Sequence, residues 1–162
     1  MSMLAAFEPL VLALGQALRA RGMRVATAES CTGGLIAAAC TSVAGSSDWF
    51  ERGFVTYSNA AKIALLGVDE ALLQAHGAVS EPVARAMAEG ALARAPVQRA
   101  VAVTGIAGPG GAVPGKPVGT VWLALAQSDG VTLAQRLQLA GDRAAVREAT
   151  VTAALQAMLQ SL

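Results

Sequence analysis

The hydrophobic and polar positions of the chain follow two different spacings. Apolar residues recur at helical spacing over 5–21, 82–94 and 142–160, which predicts three amphipathic helices. The runs "RVATA" and "RAVAVTG" are short and almost uninterrupted, and the second is typical of a strand buried on both faces of a sheet. The pattern therefore predicts strands alternating with helices.

The segment "TAESCTGGLIAAAC", residues 27–40, joins the first of these strands to an alanine-rich helix. This helix is predicted to cover "GGLIAAACTSVAG" and to stop before Gly45. An acid, two hydroxyls and a thiol thus stand at a turn between a strand and a helix. Loops that follow the carboxyl ends of strands usually bind ligands in α/β folds, so this turn and the loop "TGIAGPGG" are the candidate functional segments.

Shorter elements follow this turn. The run "FERGFVTYSN", residues 50–59, predicts a strand. The run "NAAKIALLG" predicts a short helix with Ser58 or Asn59 as its cap and Gly67 at its end. A further helix is expected at about 69–74.

The second half of the chain supplies a capped helix and a hairpin. Ser80 is expected to cap the helix over 82–94. The runs "VGTVWLALAQ" and "VTLAQRLQLA", joined through "SDG", predict a hairpin whose second strand lies at a sheet edge. Together these elements predict a three-layer α/β/α sandwich with a mixed central sheet, formed by one domain over 1–162.

Composition limits the partners of such a domain. Apolar residues make up 54% of the chain and charged residues 14%, which suits helices packed on a sheet and an oligomer that hides some apolar surface. The net charge of +1, without a long basic cluster, argues against nucleic-acid binding. The N-terminal segment carries Glu8 and Pro9 early, so we expect the helix of a soluble protein rather than a signal peptide or a membrane span.

Cysteine and histidine usage adds two further expectations. Cys31 and Cys40 are too far apart along one helix to form a disulfide, so nothing indicates an oxidising compartment and a cytoplasmic location is expected. His76 is the single histidine, and no group of acidic, cysteine and histidine residues has metal-ligand spacing. We therefore expect no metal, no cofactor and no Ser-His-Asp triad.

Ser30 is the candidate nucleophile of the first loop. Backbone N–H groups at the start of the following helix would stabilise negative charge beside it, and Gly33 and Gly34 would let a ligand approach that backbone. The alternative is that Ser30 or Thr32 only caps the helix. Cys31 is a second candidate nucleophile, against the alternative of an inert buried thiol.

A serine nucleophile needs a base, and lysine is the candidate because a partly buried lysine can lose its proton. Lys62 follows "VTYSN", whereas Lys116 lies in the glycine-rich loop and is expected to be solvated. Tyr57 stands five residues before Lys62 and could hydrogen-bond the same group. The alternatives are a core ring for Tyr57 and a surface side chain for Lys62.

The remaining motifs are less specific. Arg143 opens the last helix and either binds a phosphate or forms an exposed ion pair with Asp142 or Glu148. The "TGIAGPGG" loop is glycine-rich like phosphate cradles, but it matches neither the P-loop nor the dinucleotide fingerprint.

Several segments together resemble one known family. They are "AESCTGG", "GFVTYSNAAKIALLGV", "GAVSEPVARAMAEGAL", "AVAVTGIAGPGG", "GKPVGTVWLALA" and "GDRAAVREATV". In this order they resemble the CinA C-terminal domain family, that of the nicotinamide-nucleotide amidases. The resemblance covers nearly the whole chain, from Glu29 to the end.

The resemblance implies a reaction. The family hydrolyses the carboxamide of nicotinamide mononucleotide to nicotinic acid mononucleotide and ammonia, in pyridine-nucleotide recycling, with no required metal. Ser30 matches the nucleophile of the family, and Tyr57 and Lys62 match the residues thought to activate it. The implied fold is an α/β/α sandwich that is often dimeric.

The resemblance also implies a binding site for this small-molecule substrate. Thr104 and Gly105 match the second substrate-binding loop, and Arg143 matches the arginine associated with the substrate phosphate. Thr32, with the two glycines after it, is expected to shape the pocket, and Glu29 to orient the turn.

The sequence leaves an alternative function open, and it departs from many family members in domain organisation. Many family members carry an additional N-terminal domain, for which this chain is too short, so the stand-alone form is expected. The alternative to an amidase is a non-catalytic nucleotide-binding or partner-binding module of this competence-associated family.

Overall fold

Five strands form the central sheet of the computed structural model, which describes residues 2–162. They are β1 (Val25–Glu29), β2 (Phe50–Val55), β3 (Arg99–Gly105), β4 (Thr120–Gln127) and β5 (Leu133–Gln138). Their order is β2-β1-β3-β4-β5, with β2, β1 and β3 parallel and the pairs β3-β4 and β4-β5 antiparallel. The predicted mixed sheet is confirmed, and so are the hairpin and the edge position of its second strand.

Six α-helices within residues 2–162 cover this sheet. They are α1 (Glu8–Arg21), α2 (Leu35–Cys40), α3 (Asn59–Leu66), α4 (Glu70–His76), α5 (Glu81–Arg94) and α6 (Arg143–Gln160), with 3₁₀ turns at Met3–Phe7 and Ser46–Asp48. Side chains of α1, α2 and α6 share one hydrophobic cluster with the sheet, and those of α3, α4 and α5 share another. The predicted three-layer α/β/α sandwich is therefore confirmed.

The two faces of the sheet differ in the size of their side chains. Because successive residues of a strand point to opposite faces, Val101 and Val103 join the cluster of α1 and α6, whereas Ala100 and Ala102 join the cluster of α5. The pattern repeats on β4, where leucines face one way and alanines the other. The helices on the alanine side pack closely: a Cβ placed on Gly90 of α5 would lie 2.1 Å from the Leu66 carbonyl oxygen.

The N-terminal helical segment has the length and composition of a membrane span, with a mean hydropathy of 1.3 over its most apolar window within residues 3–21. In the structure, four of its large side chains are buried in the core: Phe7, Val11, Leu14 and Leu18. This packing against α6 and the sheet accounts for the apolar composition of the segment.

Most predicted helix ends are confirmed, but α2 is shorter than predicted. It begins after Gly34, whose φ of 101° is left-handed, and it ends at Cys40 rather than near Gly45. The hydroxyls of Thr41 and Ser42 donate to carbonyl oxygens of its last turn, which provides an alternative to a further helical turn. The prediction missed this because "GGLIAAACTSVAG" carries no proline or charge that would stop a helix.

Two smaller expectations also need correction. Ser80 does occupy the N-cap position of α5, but its hydroxyl donates to the Gly77 carbonyl oxygen and makes no capping bond. The strand predicted over 50–59 ends at Val55, because the chain turns there toward α3. The cap of α3 is as predicted, with the Ser58 hydroxyl accepting from the Ala61 N–H.

Candidate active site

The candidate site lies where the parallel strands end. Ser30 directly follows β1, Thr104 and Gly105 end β3, and Lys62 lies on the helix that follows β2. Because β1, β2 and β3 run parallel, their carboxyl ends lie at the same edge of the sheet. Residues that are far apart in the sequence are thereby brought together.

Ser30 and Lys62 are hydrogen-bonded to each other. The Lys62 Nζ lies 2.9 Å from the Ser30 Oγ, and it also donates to the carbonyl oxygens of Thr56 at 2.9 Å and Tyr57 at 3.2 Å. Lys62 is only 1% exposed. Within residues 2–162 no carboxylate forms a salt bridge with it. Burial therefore lowers the pKa of Lys62 below its ordinary value. The alternative of a surface lysine is wrong.

Glu29 holds the turn that carries Ser30. It is fully buried, and its carboxylate accepts hydrogen bonds from the Thr32 hydroxyl at 2.6 Å, the Ile36 N–H at 2.8 Å and the Ala37 N–H at 3.0 Å. These contacts tie the end of β1 to the start of α2, in agreement with the orienting role expected of Glu29.

The same contacts correct one expectation about the helix start. The N–H groups of Ile36 and Ala37, in the first turn of α2, already donate to Glu29 and cannot also bind a developing oxyanion. The reason is physical: a buried carboxylate needs donors, and the free N–H groups of a helix start are the nearest ones. Donors for an oxyanion must come from elsewhere in the turn.

Tyr57 and Arg143 form a second pair at the site. The Arg143 Nη2 donates to the Tyr57 hydroxyl at 3.1 Å, while its Nη1 donates to the Gly108 carbonyl oxygen at 2.9 Å. Tyr57 is 62% exposed, so the alternative of a core ring is wrong. Its contact with Lys62 is made by the backbone carbonyl and not by the hydroxyl. Arg143 makes no ion pair with any carboxylate in the described part of the chain.

These groups line one cavity of about 200 Å³. Its lining residues are Ser30, Cys31, Tyr57, Asn59, Lys62, Ala78, Val79, Thr104, Gly105, Ala107 and Arg143. Seven of them are residues that the sequence singles out for this site, Cys31 among them as the alternative nucleophile. Ala78, Val79 and Ala107 are not predicted from the sequence, because their residue types carry no chemical signal, and Asn59 is predicted only as a helix cap.

Three predicted binding residues do not line this cavity. The Thr32 hydroxyl donates to Glu29, and Gly33 and Gly34 have left-handed φ values of 59° and 101°. An L-residue rarely adopts such values, so these glycines are needed for the turn itself. Their visible role is to shape the loop around Ser30.

The thiol and the single histidine play no part in the pairings at the site. Burial raises the pKa of Cys31 to about 11, so its thiol stays protonated near neutral pH. His76 ends α4, where its carbonyl oxygen accepts from Lys116. Across residues 2–162, no group of three or more His, Cys, Asp or Glu side chains is arranged to hold a metal ion.

Comparison with known proteins gives the family. The sequence profile described as "CinA C-terminal domain" matches residues 7–162. The chain belongs to this family.

Relatives within the CinA family are close in sequence and in structure. The nicotinamide-nucleotide amidohydrolase PncC of Escherichia coli strain K12 is 56% identical over 147 residues, covering 91% of this chain and 89% of the relative. The protein of the same name from Pseudomonas putida is also 56% identical, over 91% of each chain. The crystal structure of the competence/damage inducible protein CihA from Agrobacterium tumefaciens has a TM-score of 0.93 at 45% identity, covering 99% of this chain and 96% of that one.

Proposed function

We propose that this chain is an amidohydrolase that converts nicotinamide mononucleotide to nicotinic acid mononucleotide and ammonia, with Ser30 as nucleophile and Lys62 as base. The names of the relatives support the substrate, since the E. coli and P. putida proteins are called nicotinamide-nucleotide amidohydrolases. The activity would serve pyridine-nucleotide recycling, because its product is the acid form of the same nucleotide.

One observation carries the proposal: a buried lysine lies 2.9 Å from the hydroxyl of Ser30. Two carbonyl oxygens and the Ser30 hydroxyl surround the Lys62 Nζ, so a neutral amine can donate to both carbonyls and accept from the hydroxyl. An ammonium in this position would lack a carboxylate partner among the salt bridges of residues 2–162. Burial without a carboxylate partner lowers the pKa of Lys62, so the neutral amine, the form that accepts a proton from a serine, is easier to reach than for a solvated lysine.

The first chemical stage forms an acyl-enzyme. The Ser30 Oγ attacks the carboxamide carbon while its proton passes to the Lys62 Nζ, and the carbonyl oxygen becomes an oxyanion held by backbone N–H groups of the turn. The C–N bond then breaks, and the leaving nitrogen takes the proton from Lys62 and departs as ammonia. This leaves an ester on Ser30 and a neutral lysine.

The second stage releases the acid. Water gives a proton to Lys62 and attacks the ester carbon, after which the C–Oγ bond breaks and the proton returns to the Ser30 oxygen. The sum of both stages is amide plus water giving acid plus ammonia, so no further reactant is required.

Arg143 and the end of β3 would bind the rest of the substrate. Arg143 has further N–H donors beside those given to Tyr57 and Gly108, and a guanidinium is well suited to a phosphate. Thr104 and Gly105 line the same cavity, on the wall next to Ser30. Tyr57 acts in this scheme through Arg143, and its backbone carbonyl helps to hold Lys62.

The test is ammonia release from nicotinamide mononucleotide in chelator-treated buffer by the wild-type protein and by the Ser30→Ala, Lys62→Ala and Lys116→Ala variants. We expect activity in the wild type, its loss in the first two variants and its retention in Lys116→Ala. Circular dichroism and thermal unfolding would verify that each variant is folded. A folded wild-type protein that binds the nucleotide without releasing ammonia would instead support the non-catalytic binding module.

Two further expectations from the sequence belong to this proposal. We propose that the protein works in the cytoplasm and as a homodimer. Sedimentation velocity over a range of concentrations would measure its mass in solution, and fractionation of cells would measure its location.

A further inference from the structure

Thr104 places a second hydroxyl next to the nucleophile. The Ser30 N–H donates to the carbonyl oxygen of Val103, the residue directly before Thr104, and both hydroxyl residues line the same cavity. The Ser30 Oγ contacts Lys62 of α3. The Thr104 Oγ1 contacts Ala78, which lies just before α5. Both hydroxyls therefore lie on the side of the sheet that α3 and α5 cover.

The proton of the Thr104 hydroxyl is already committed. A carbonyl oxygen can only accept, so the contact of 3.0 Å between the Thr104 Oγ1 and the Ala78 carbonyl oxygen uses the single hydroxyl proton. The same carbonyl also accepts the Ser80 N–H at 3.2 Å, so both of its lone pairs are used. No N–H or O–H group of residues 2–162 donates to the Thr104 Oγ1 in return. Its oxygen is therefore available as an acceptor for an N–H of a ligand.

The position of this acceptor suits the leaving group of the proposed reaction. A carboxamide has N–H donors at its reacting carbon, whereas an acid anion or an ester has none there. Lys62 reaches Ser30 from the side of β2, and Thr104 lies on β3, on the other side of β1. An N–H given to Thr104 would hold the leaving nitrogen between the two residues, with its lone pair turned toward the protonated Lys62.

We propose that the Thr104 hydroxyl accepts an N–H of the substrate carboxamide, and that it thereby favours amides over esters and orients the leaving nitrogen. This role rests on the proposed amidase function. It assigns Thr104 to the reacting group and leaves Gly105, on the same cavity wall, for the rest of the substrate. The bond to Ala78 fixes the direction of the hydroxyl proton and so keeps the oxygen an acceptor.

The kinetic test compares two substrates, nicotinamide mononucleotide and the methyl ester of nicotinic acid mononucleotide, which has no N–H at the reacting carbon. In Thr104→Val the amide N–H loses its acceptor in a buried site, so kcat/KM on the amide should fall about 10- to 100-fold. On the ester, kcat/KM should change less than about threefold, because no N–H is left without an acceptor. Thr104→Ser keeps the hydroxyl and should keep the amide-to-ester ratio of the wild type.

Thr120→Val is the matched control. Thr120 is also a buried threonine of the sheet whose hydroxyl donates to a backbone carbonyl, that of Pro117, but it does not line this cavity. We expect this variant to keep the amide-to-ester ratio of the wild type. Circular dichroism and thermal unfolding would verify that the variants are folded, and Thr104→Ala takes the place of Thr104→Val if the valine variant does not fold.

Two kinetic results would overturn the proposed contact. Equal losses on the amide and the ester would show that the Thr104 hydroxyl only holds the loop of Ala78. Full amide activity in a folded Thr104→Val protein would show that the nitrogen does not need this acceptor.

A binding measurement separates this role from the proposed function. In the Ser30→Ala background, calorimetry should show nicotinamide mononucleotide binding about 5- to 10-fold more weakly when Thr104→Val is added, with the binding of the ester unchanged. If the wild type releases no ammonia, the proposed function fails. The difference in binding alone then decides whether Thr104 accepts an N–H of the amide, and equal binding of the amide with and without Thr104→Val would overturn it.

Discussion

The Nζ of Lys62 lies 2.9 Å from the Oγ of Ser30, in a position where only 1% of the lysine is exposed. The two residues are 32 positions apart in the chain, and the parallel pairing of β1 with β2 brings their elements together. Because burial lowers the pKa of Lys62, the pair joins an activatable hydroxyl to an amine that can be neutral.

This pairing predicts how activity depends on pH. We expect kcat to rise with pH as Lys62 loses its proton, with a midpoint below the ordinary value of 10.5. The wild-type pH profile would be measured by ammonia release, with Lys116→Met as a matched lysine control. A profile whose midpoint lies at the ordinary lysine value would contradict a neutral Lys62.

Stability should show the same titration. The unfolded chain binds a proton at Lys62 below 10.5, whereas the folded chain binds it only at a lower pH. The free energy of unfolding should therefore gain a contribution as pH rises from the lowered value to 10.5, and lose it as pH falls through that window. Urea unfolding at several pH values should show this slope in the wild type and not in Lys62→Met.

A further prediction separates the serine from the thiol beside it. Cys31→Ala should keep most of the amidase activity, whereas Ser30→Ala should lose about 10⁴-fold or more in kcat. Since the pKa of Cys31 is raised to about 11, iodoacetamide should react with it slowly in folded protein near neutral pH. Mass spectrometry would measure the labelling. Rapid labelling together with loss of activity would favour the thiol as nucleophile.

The contact between Tyr57 and Arg143 predicts an effect on binding more than on chemistry. Tyr57→Phe removes a hydroxyl that accepts from the Arg143 guanidinium, which should cost about 1 kcal/mol, or about fivefold in KM, with a smaller change in kcat. The double variant with Arg143→Lys should be less impaired than the sum of the two single variants. If Tyr57→Phe lowers kcat and leaves KM unchanged, the hydroxyl acts on Ser30 or Lys62 instead.

Glu29 should matter for stability as well as for activity. Glu29→Gln turns one acceptor oxygen into a donor that faces hydroxyl and N–H donors in a buried site, so the variant should lose about 2–3 kcal/mol of unfolding free energy. The exposed Glu89→Gln is the control and should change stability by less than about 0.5 kcal/mol. Urea unfolding would measure both. Equal stability in the two variants would show that the carboxylate does not hold the turn.

Local sequence signals were sufficient for most of the fold but not for the site contacts. Ser58 and Gly67 mark the ends of α3 because capping acts between near neighbours in the chain. The early end of α2 depends on hydroxyl bonds of Thr41 and Ser42, which compete closely with a further helical turn. The sequence carries no strong signal that decides between these hydroxyl bonds and a further helical turn.

The contacts of the site depend on tertiary structure. Residue types alone could not decide whether Lys62 is a surface side chain or a buried base, because its burial depends on the packing of α3 against α5 and β2. The hydrogen bonds from the Ile36 and Ala37 N–H groups to Glu29 could not be predicted from the sequence either. A helix start offers free N–H groups to any acceptor that the fold brings near. The family resemblance indicates Tyr57 as an activator, but only the tertiary structure shows that its hydroxyl accepts a hydrogen bond from Arg143.

The alanine side of the sheet has a consequence for how this sequence can vary. Ala100, Ala102, Ala124 and Ala126 are fully buried beneath α5, and every replacement except glycine would add volume where none is free. On the opposite side, one large apolar side chain can be exchanged for another of similar volume. We therefore expect natural variants to accumulate changes on the side of α1 and α6, while the alanine side stays nearly constant.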